Sequence, residues 1–221
     1  MSIDLGRFIS LGENCEFGLY QRKNGSDRSS LLRWTFCPPR SLVNGLRNEF
    51  RDLYDFANLA ASDDSMVLDT NHGIAFHSGM VSKGGEFLQS GEELQSIYDA
   101  EAKKIEHLKA KLIETMTAPN IFVYKRQGPA HVALALEIGW EISQRGPGLL
   151  LFVHDEGDEP SGVCRHVRRN VMVGRHDRFA PYHNAHDFSE HGWNSLLESA
   201  TAMGDVLLGQ EGLLRTLIVP S

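Results

Sequence analysis

The stretch "FISLGENCEFGLYQR", Phe8 to Arg22, decides how the rest of the chain is read. Phe8 to Leu11 reads as a short buried strand closed by Gly12, and residues from about Asn14 to Lys23 read as a short helix ended by "NGSD". A strand that passes through a glycine turn into a helix begins a β-α alternation, and that alternation continues downstream.

Moving outward, "SSLLRWTF" is an apolar run holding one arginine, either strand or helix edge, stopped by Pro38 and Pro39. Ser41 is a suitable N-cap for a helix through Phe56, whose Leu42, Leu46, Phe50, Leu53 and Tyr54 keep helical spacing. "SMVLDT" and "GIAFHS" around "NHG" predict two short strands or a hairpin. "EELQSIYDAEAKKIEHLKAKLIETM" carries one apolar stripe, Leu94, Ile97, Tyr98, Ile105, Leu108 and Leu112, and is the clearest helix. "NIFVYKR" reads as a strand, Ala130 to Gln144 as a helix, and "GLLLFVHD" as a fully buried strand of the kind parallel sheets contain. "NVMVG" is a further strand, and a helix starts near Ser189 with Trp193, Leu196, Leu197 and Ala200 facing inward. The order predicts one three-layer α/β domain over residues 1–221, Rossmann-like, with a mainly parallel central sheet flanked by helices.

Composition narrows the function. The 221 residues are 41% hydrophobic and 23% charged, with a formal charge of -7 and no long Lys/Arg cluster. Nucleic-acid and anionic-membrane surfaces need a concentrated positive field, so neither partner is expected. Cys15, Cys37 and Cys164 show no CxxC spacing and leave one thiol unpaired in any disulfide scheme, the pattern of a reducing compartment. "MSIDLGRFIS" has no secretory character, and a cytoplasmic location is expected.

Cys15 follows a strand end, where ligands collect in open α/β sheets, and lies at a helix start, whose dipole favours thiolate. Backbone N–H groups around Asn14 and Cys15, with the Asn14 amide, could hold an oxyanion. The i, i+3, i+4, i+7 spacing of Cys15, Gly18, Leu19 and Arg22 equally suits a thiol packed on a buried helix face.

Six of the ten histidines (His154, His166, His176, His183, His186, His191) fall between 154 and 191. With Asp187 and Cys164 they offer metal-ligating atoms, although at no standard spacing, which leaves a polar loop or a metal-dependent enzyme open. Asp187 and His191, or His183, are also rival bases for Cys15. Arg33, inside its apolar run, either pairs with an acid such as Glu13 or Glu16 or binds an anion. With Arg22, Asn14 and the "HDEGDEP" loop it would serve a non-catalytic α/β module taking an anionic or sugar ligand. No Gly-x-Gly-x-x-Gly or Walker pattern is present, and no cofactor is expected.

"SLGENCEFG" followed by "QR", "LLRW" and "GIAFHS" resembles a family of uncharacterised function classed as papain-like cysteine peptidases. Its members open with a strand, a Ser-Leu-Gly turn and Asn-Cys, then a small-residue helix, a Trp motif and a strand ending in His. "GLLLFVHD", "GRHDRFAP" and "HGW" resemble a bacterial subgroup, so the likeness covers most of the chain. It implies Cys15 as nucleophile and His77 as general base; His72, five residues earlier, is the substitute, and a small-molecule, peptide or glycan-linked substrate is the expected partner. Papain's own pattern is absent: Ile9 stands where a Gln would, no Cys-Trp follows, and no Asn lies between His77 and Asn120.

Overall fold

The computed structural model describes residues 3–62 and 65–217, with the side chains of the last helix described up to residue 209. In chain order the elements are β1 (Phe8–Ser10), α1 (Glu16–Lys23), β2 (Thr35–Phe36), α2 (Pro39–Arg47), β3 (Leu59–Ala61), β4 (Met66–Asp69), β5 (Ile74–His77), β6 (Ser82–Lys83) and β7 (Glu86–Phe87). There follow α3 (Gly91–Met116), β8 (Ile121–Lys125), α4 (Val132–Ser143), β9 (Leu149–His154), β10 (Cys164–Arg168), β11 (Val171–Arg175) and α5 (Glu190–Leu217).

The main sheet runs β1-β8-β9-β11-β10, parallel throughout except for β10 against β11. Successive side chains of a strand point to opposite faces, and here both faces are apolar. Phe8, Ile121, Val123, Leu149, Leu151, Val153 and Met172 pack with Phe17 and Tyr20 of α1 and with Trp193, Leu196, Leu197 and Ala200 of α5. Ile9, Phe122, Tyr124, Leu150, Phe152, Val171 and Val173 face α2, α3 and α4. The expected mainly parallel sheet with helices on it is therefore present. A four-stranded antiparallel sheet, β2-β5-β4-β3, shares the second cluster through Val67, Ile74 and Phe76. That sheet is a correction to the expectation of helices alone around the main sheet.

Two further expectations change. The helix after the Pro-Pro pair begins at Pro39, in the N1 position that tolerates a missing N–H, and it ends at Arg47 rather than Phe56. Glu49, Phe50, Asp52 and Tyr54 then take positive φ, and Phe50 N–H donates to Gly45 O at 2.7 Å. A Cβ on Gly45 would lie 2.2 Å from the Phe50 ring, so the ring closes over the glycine and stops the helix. "SSLLRWTF" is a turn leading into the two residues of β2. No described helix is long and apolar enough to cross a membrane.

The pairings Lys125↔Val153 and Arg175↔His154 bring the C-terminal ends of β8, β9 and β11 to one edge, and Leu11 N–H donates to Val123 O there. Loops leaving this edge carry Glu13 to Glu16, Arg126, Asp155 and His176. The site is built on them.

Candidate active site

β1 leaves the sheet through two consecutive left-handed residues, Gly12 (φ 89) and Glu13 (φ 66). Gly12 is required: a Cβ there would meet Cys37 Cβ at 3.1 Å and Leu32 O at 3.2 Å. The reversal delivers Asn14, whose Oδ1 accepts from Glu16 N–H at 3.0 Å and so satisfies one free donor of α1. Cys15 occupies the N-cap position with no side-chain cap bond, which leaves its sulfur available.

The antiparallel sheet supplies the partner. β2 pairs with β5 (Thr35↔Phe76), and Tyr124 Oη donates to Cys37 O at 3.2 Å, tying the end of β2 to the main sheet. His77, the last residue of β5, is exposed, and its Nε2 lies 3.5 Å from Cys15 Sγ. Among the described residues no hydrogen bond reaches His77 Nδ1, so the pair is a dyad. Burial pushes the Cys15 thiol up to about 11, against the nearby charge of Lys125, which pulls it down. The expectation that the helix start would favour thiolate is thus reversed. Cys15 caps a helix of only eight residues, and burial outweighs the pull of Lys125.

Beneath the dyad lies a saturated buried network. Glu16 Oε2 takes Lys125 Nζ at 3.0 Å and Ala180 N–H at 3.1 Å, while Oε1 takes Trp193 Nε1–H at 3.1 Å. Lys125 Nζ also sits 4.2 Å from the Phe179 ring centroid. By contrast, Asn14 Nδ2 and Glu13 Oε2 are buried with no hydrogen-bond partner. Burial raises the Glu13 carboxyl, opposed by Lys125, by a hydrogen bond from Tyr182, by Arg126 and by a hydrogen bond from the Gln127 backbone. Lys125 and Tyr182 were not singled out from the sequence, and Glu13 entered only as an acid for Arg33. The signal available was a lysine ending an otherwise apolar strand.

The remaining candidates lie elsewhere or are already engaged. Arg33 is buried and donates to the carbonyls of Arg28, Gly18 and Ser26, with Asp27 at 3.2 Å, so it pairs with neither Glu13 nor Glu16. Its two terminal nitrogens are engaged by backbone carbonyls and Asp27, while Nε is buried without a partner. Arg22 contacts Asp27 at 3.2 Å and covers the Trp34 ring. His72 belongs to the hairpin turn, 3.3 Å from Asp69. Asp187 holds Arg178, and no hydrogen bond joins Cys15 to His183, His186, His191 or Asp187.

The C-terminal histidines do not converge. His154 Nδ1 is 2.8 Å from Glu156 O, His166 Nε2 is 2.7 Å from Arg169 O, and His176 is packed against Trp193. Among the described residues no three His, Cys, Asp or Glu side chains are grouped to hold a metal ion, so the arrangement on which the metal-enzyme reading depended does not form. Comparisons with protein-family models, with curated proteins and with solved structures give no significant match.

Proposed function

We propose that the chain is a cysteine-nucleophile hydrolase or acyl transferase, akin to papain-like peptidases in chemistry and built as a single three-layer α/β domain. The 3.5 Å contact between Cys15 Sγ and His77 Nε2 carries this reading. With the thiol raised by burial, the resting sulfur keeps its proton, and His77 removes it as sulfur attacks the substrate carbonyl carbon. The oxyanion that forms accepts from Asn14 Nδ2–H, a buried donor with no other partner. Protonated His77 then gives its proton to the leaving nitrogen or oxygen as the bond to the carbonyl carbon breaks, leaving a thioester on Cys15. Water or an acceptor, deprotonated by the same imidazole, attacks the thioester and releases the acyl group. Three free cysteines suit a cytoplasmic setting.

An activated ester tests this without knowledge of the substrate. Treated with p-nitrophenyl acetate, the protein should release a burst of p-nitrophenolate and carry one acetyl group on Cys15 by peptide mass. His77→Ala should slow the burst by roughly 100-fold, the lower range for general-base catalysis, and Cys15→Ala should abolish it. Acetylation that is as fast in His77→Ala as in the native protein would remove the dyad.

A further inference from the structure

Glu13 combines features that a purely structural residue does not need. It is a non-glycine residue at φ 66, only 6% exposed, two positions before the nucleophile, and one of its carboxyl oxygens has no partner. Strain and unmet hydrogen-bonding capacity are tolerated together mainly where a ligand supplies the missing bond. The adjacent surface is suited to one. Phe36 and Tyr182 are 42% and 50% exposed, with ring centroids 6.5 Å apart in an edge-to-face pair, and the Tyr182 hydroxyl, with the Gln127 backbone, donates to the Glu13 carboxyl.

We propose that Glu13 is a specificity-determining residue whose Oε2 accepts a neutral N–H or O–H group of the substrate, held against the Phe36–Tyr182 wall. Charge decides the neutral form. Lys125 and Arg126 already act electrostatically on Glu13, and Arg126 forms no salt bridge among the described residues. A substrate ammonium would be a third cation at one carboxylate, and a substrate carboxylate would meet an oxygen that can only accept. The proposal rests on Cys15 being the group that meets substrate, as argued above.

Alkylation of Cys15 reads the two ideas separately. Rates at pH 9 with iodoacetamide, N,N-dimethyl-2-iodoacetamide and 2-bromoethylamine are each divided by the rate with glutathione, and Cys15 is identified by peptide mass. The native protein should favour iodoacetamide over its dimethyl analogue by roughly tenfold, the value of one hydrogen bond to a charged acceptor, and should show no preference for 2-bromoethylamine. Glu13→Gln should bring the ratio near one, whereas His77→Ala should slow both amides and leave their ratio intact. Should Glu13→Gln not fold, protection of native Cys15 by acetamide but not N,N-dimethylacetamide makes the same test. A native ratio near one, or a preference for 2-bromoethylamine, overturns the Glu13 assignment. An unslowed His77→Ala protein overturns the dyad instead and leaves the ratio to be read.

Discussion

Glu13 and Glu16 stand three residues apart on the same turn, and burial raises both carboxyls, yet their surroundings are opposite. Every oxygen of Glu16 is taken, by an ammonium, an indole N–H and a backbone N–H. Glu13 keeps one oxygen unpaired. Glu16 thereby anchors α1 to β8 and to the start of α5, fixing the ground on which Cys15 stands. Glu13 gives the fold its contacts with Tyr182 and the Gln127 backbone and leaves Oε2 outside them. Glu16 is saturated and belongs to the supporting layer, whereas Glu13 keeps an acceptor proposed above for substrate.

The sharpest way to break the contrast is to remove Glu16. Glu16→Ala leaves Lys125, itself 2% exposed, without its counter-ion and should cost about 3–5 kcal/mol, the usual result of stranding a buried charge. Urea unfolding measures it. The double variant Glu16→Leu with Lys125→Met should recover much of the loss, because an apolar pair need not be desolvated. A loss below about 1 kcal/mol in the single variant would show that Glu16 is not the anchor described.

His176 is a third buried titratable group, and its Nε2 has no hydrogen-bond partner. It is fully buried between Trp193 and Phe179, and burial lowers it to about 4. The folded protein therefore binds fewer protons than the unfolded chain between about pH 6.5 and 4, and stability from this group falls as pH falls through that window. The slope reaches at most about 1.4 kcal/mol per pH unit. The two raised glutamates act in the opposite sense above about pH 4.5, so the measurement is the difference between native protein and His176→Phe at pH 7 and pH 5. Native protein should lose ground to the variant at pH 5. Parallel pH profiles would mean that folding does not lower the His176 imidazole.

Much of the supporting layer was legible because burial on both sheet faces writes uninterrupted apolar runs, as in Ile121–Lys125 and Leu149–His154. Cys15 was legible from the strand–glycine–helix order. His77 was not legible from spacing, since only the fold brings residue 77 to residue 15, and the family resemblance singled it out. β10 (Cys164–Arg168) escaped notice because it is an edge strand with mostly exposed polar side chains. The helix end at Arg47 was hidden for a different reason. Phe50, Leu53 and Tyr54 do enter the core, but through left-handed backbone that non-glycine residues seldom announce. Glu13 was missed likewise, because φ and an unpartnered oxygen are properties of the folded turn.

The smallest expected effect is the most telling for the comparison. If Glu13 contributes its free oxygen to substrate rather than to the fold, Glu13→Gln should leave stability unchanged or raise it by up to about 1 kcal/mol at pH 7, since a desolvated charge is removed while the acceptor for Tyr182 is kept. The sign follows from the raised carboxyl. The folded state holds its proton more tightly than the unfolded chain, so the native glutamate lowers stability increasingly as pH rises from about 4.5, and glutamine does not. Native and variant curves should therefore lie closest near pH 4 and separate toward pH 7, with the variant on top. A Glu13→Gln protein that loses more than about 1 kcal/mol at pH 7 would place Glu13 with Glu16 in the supporting layer, and the division between the two acids would fail.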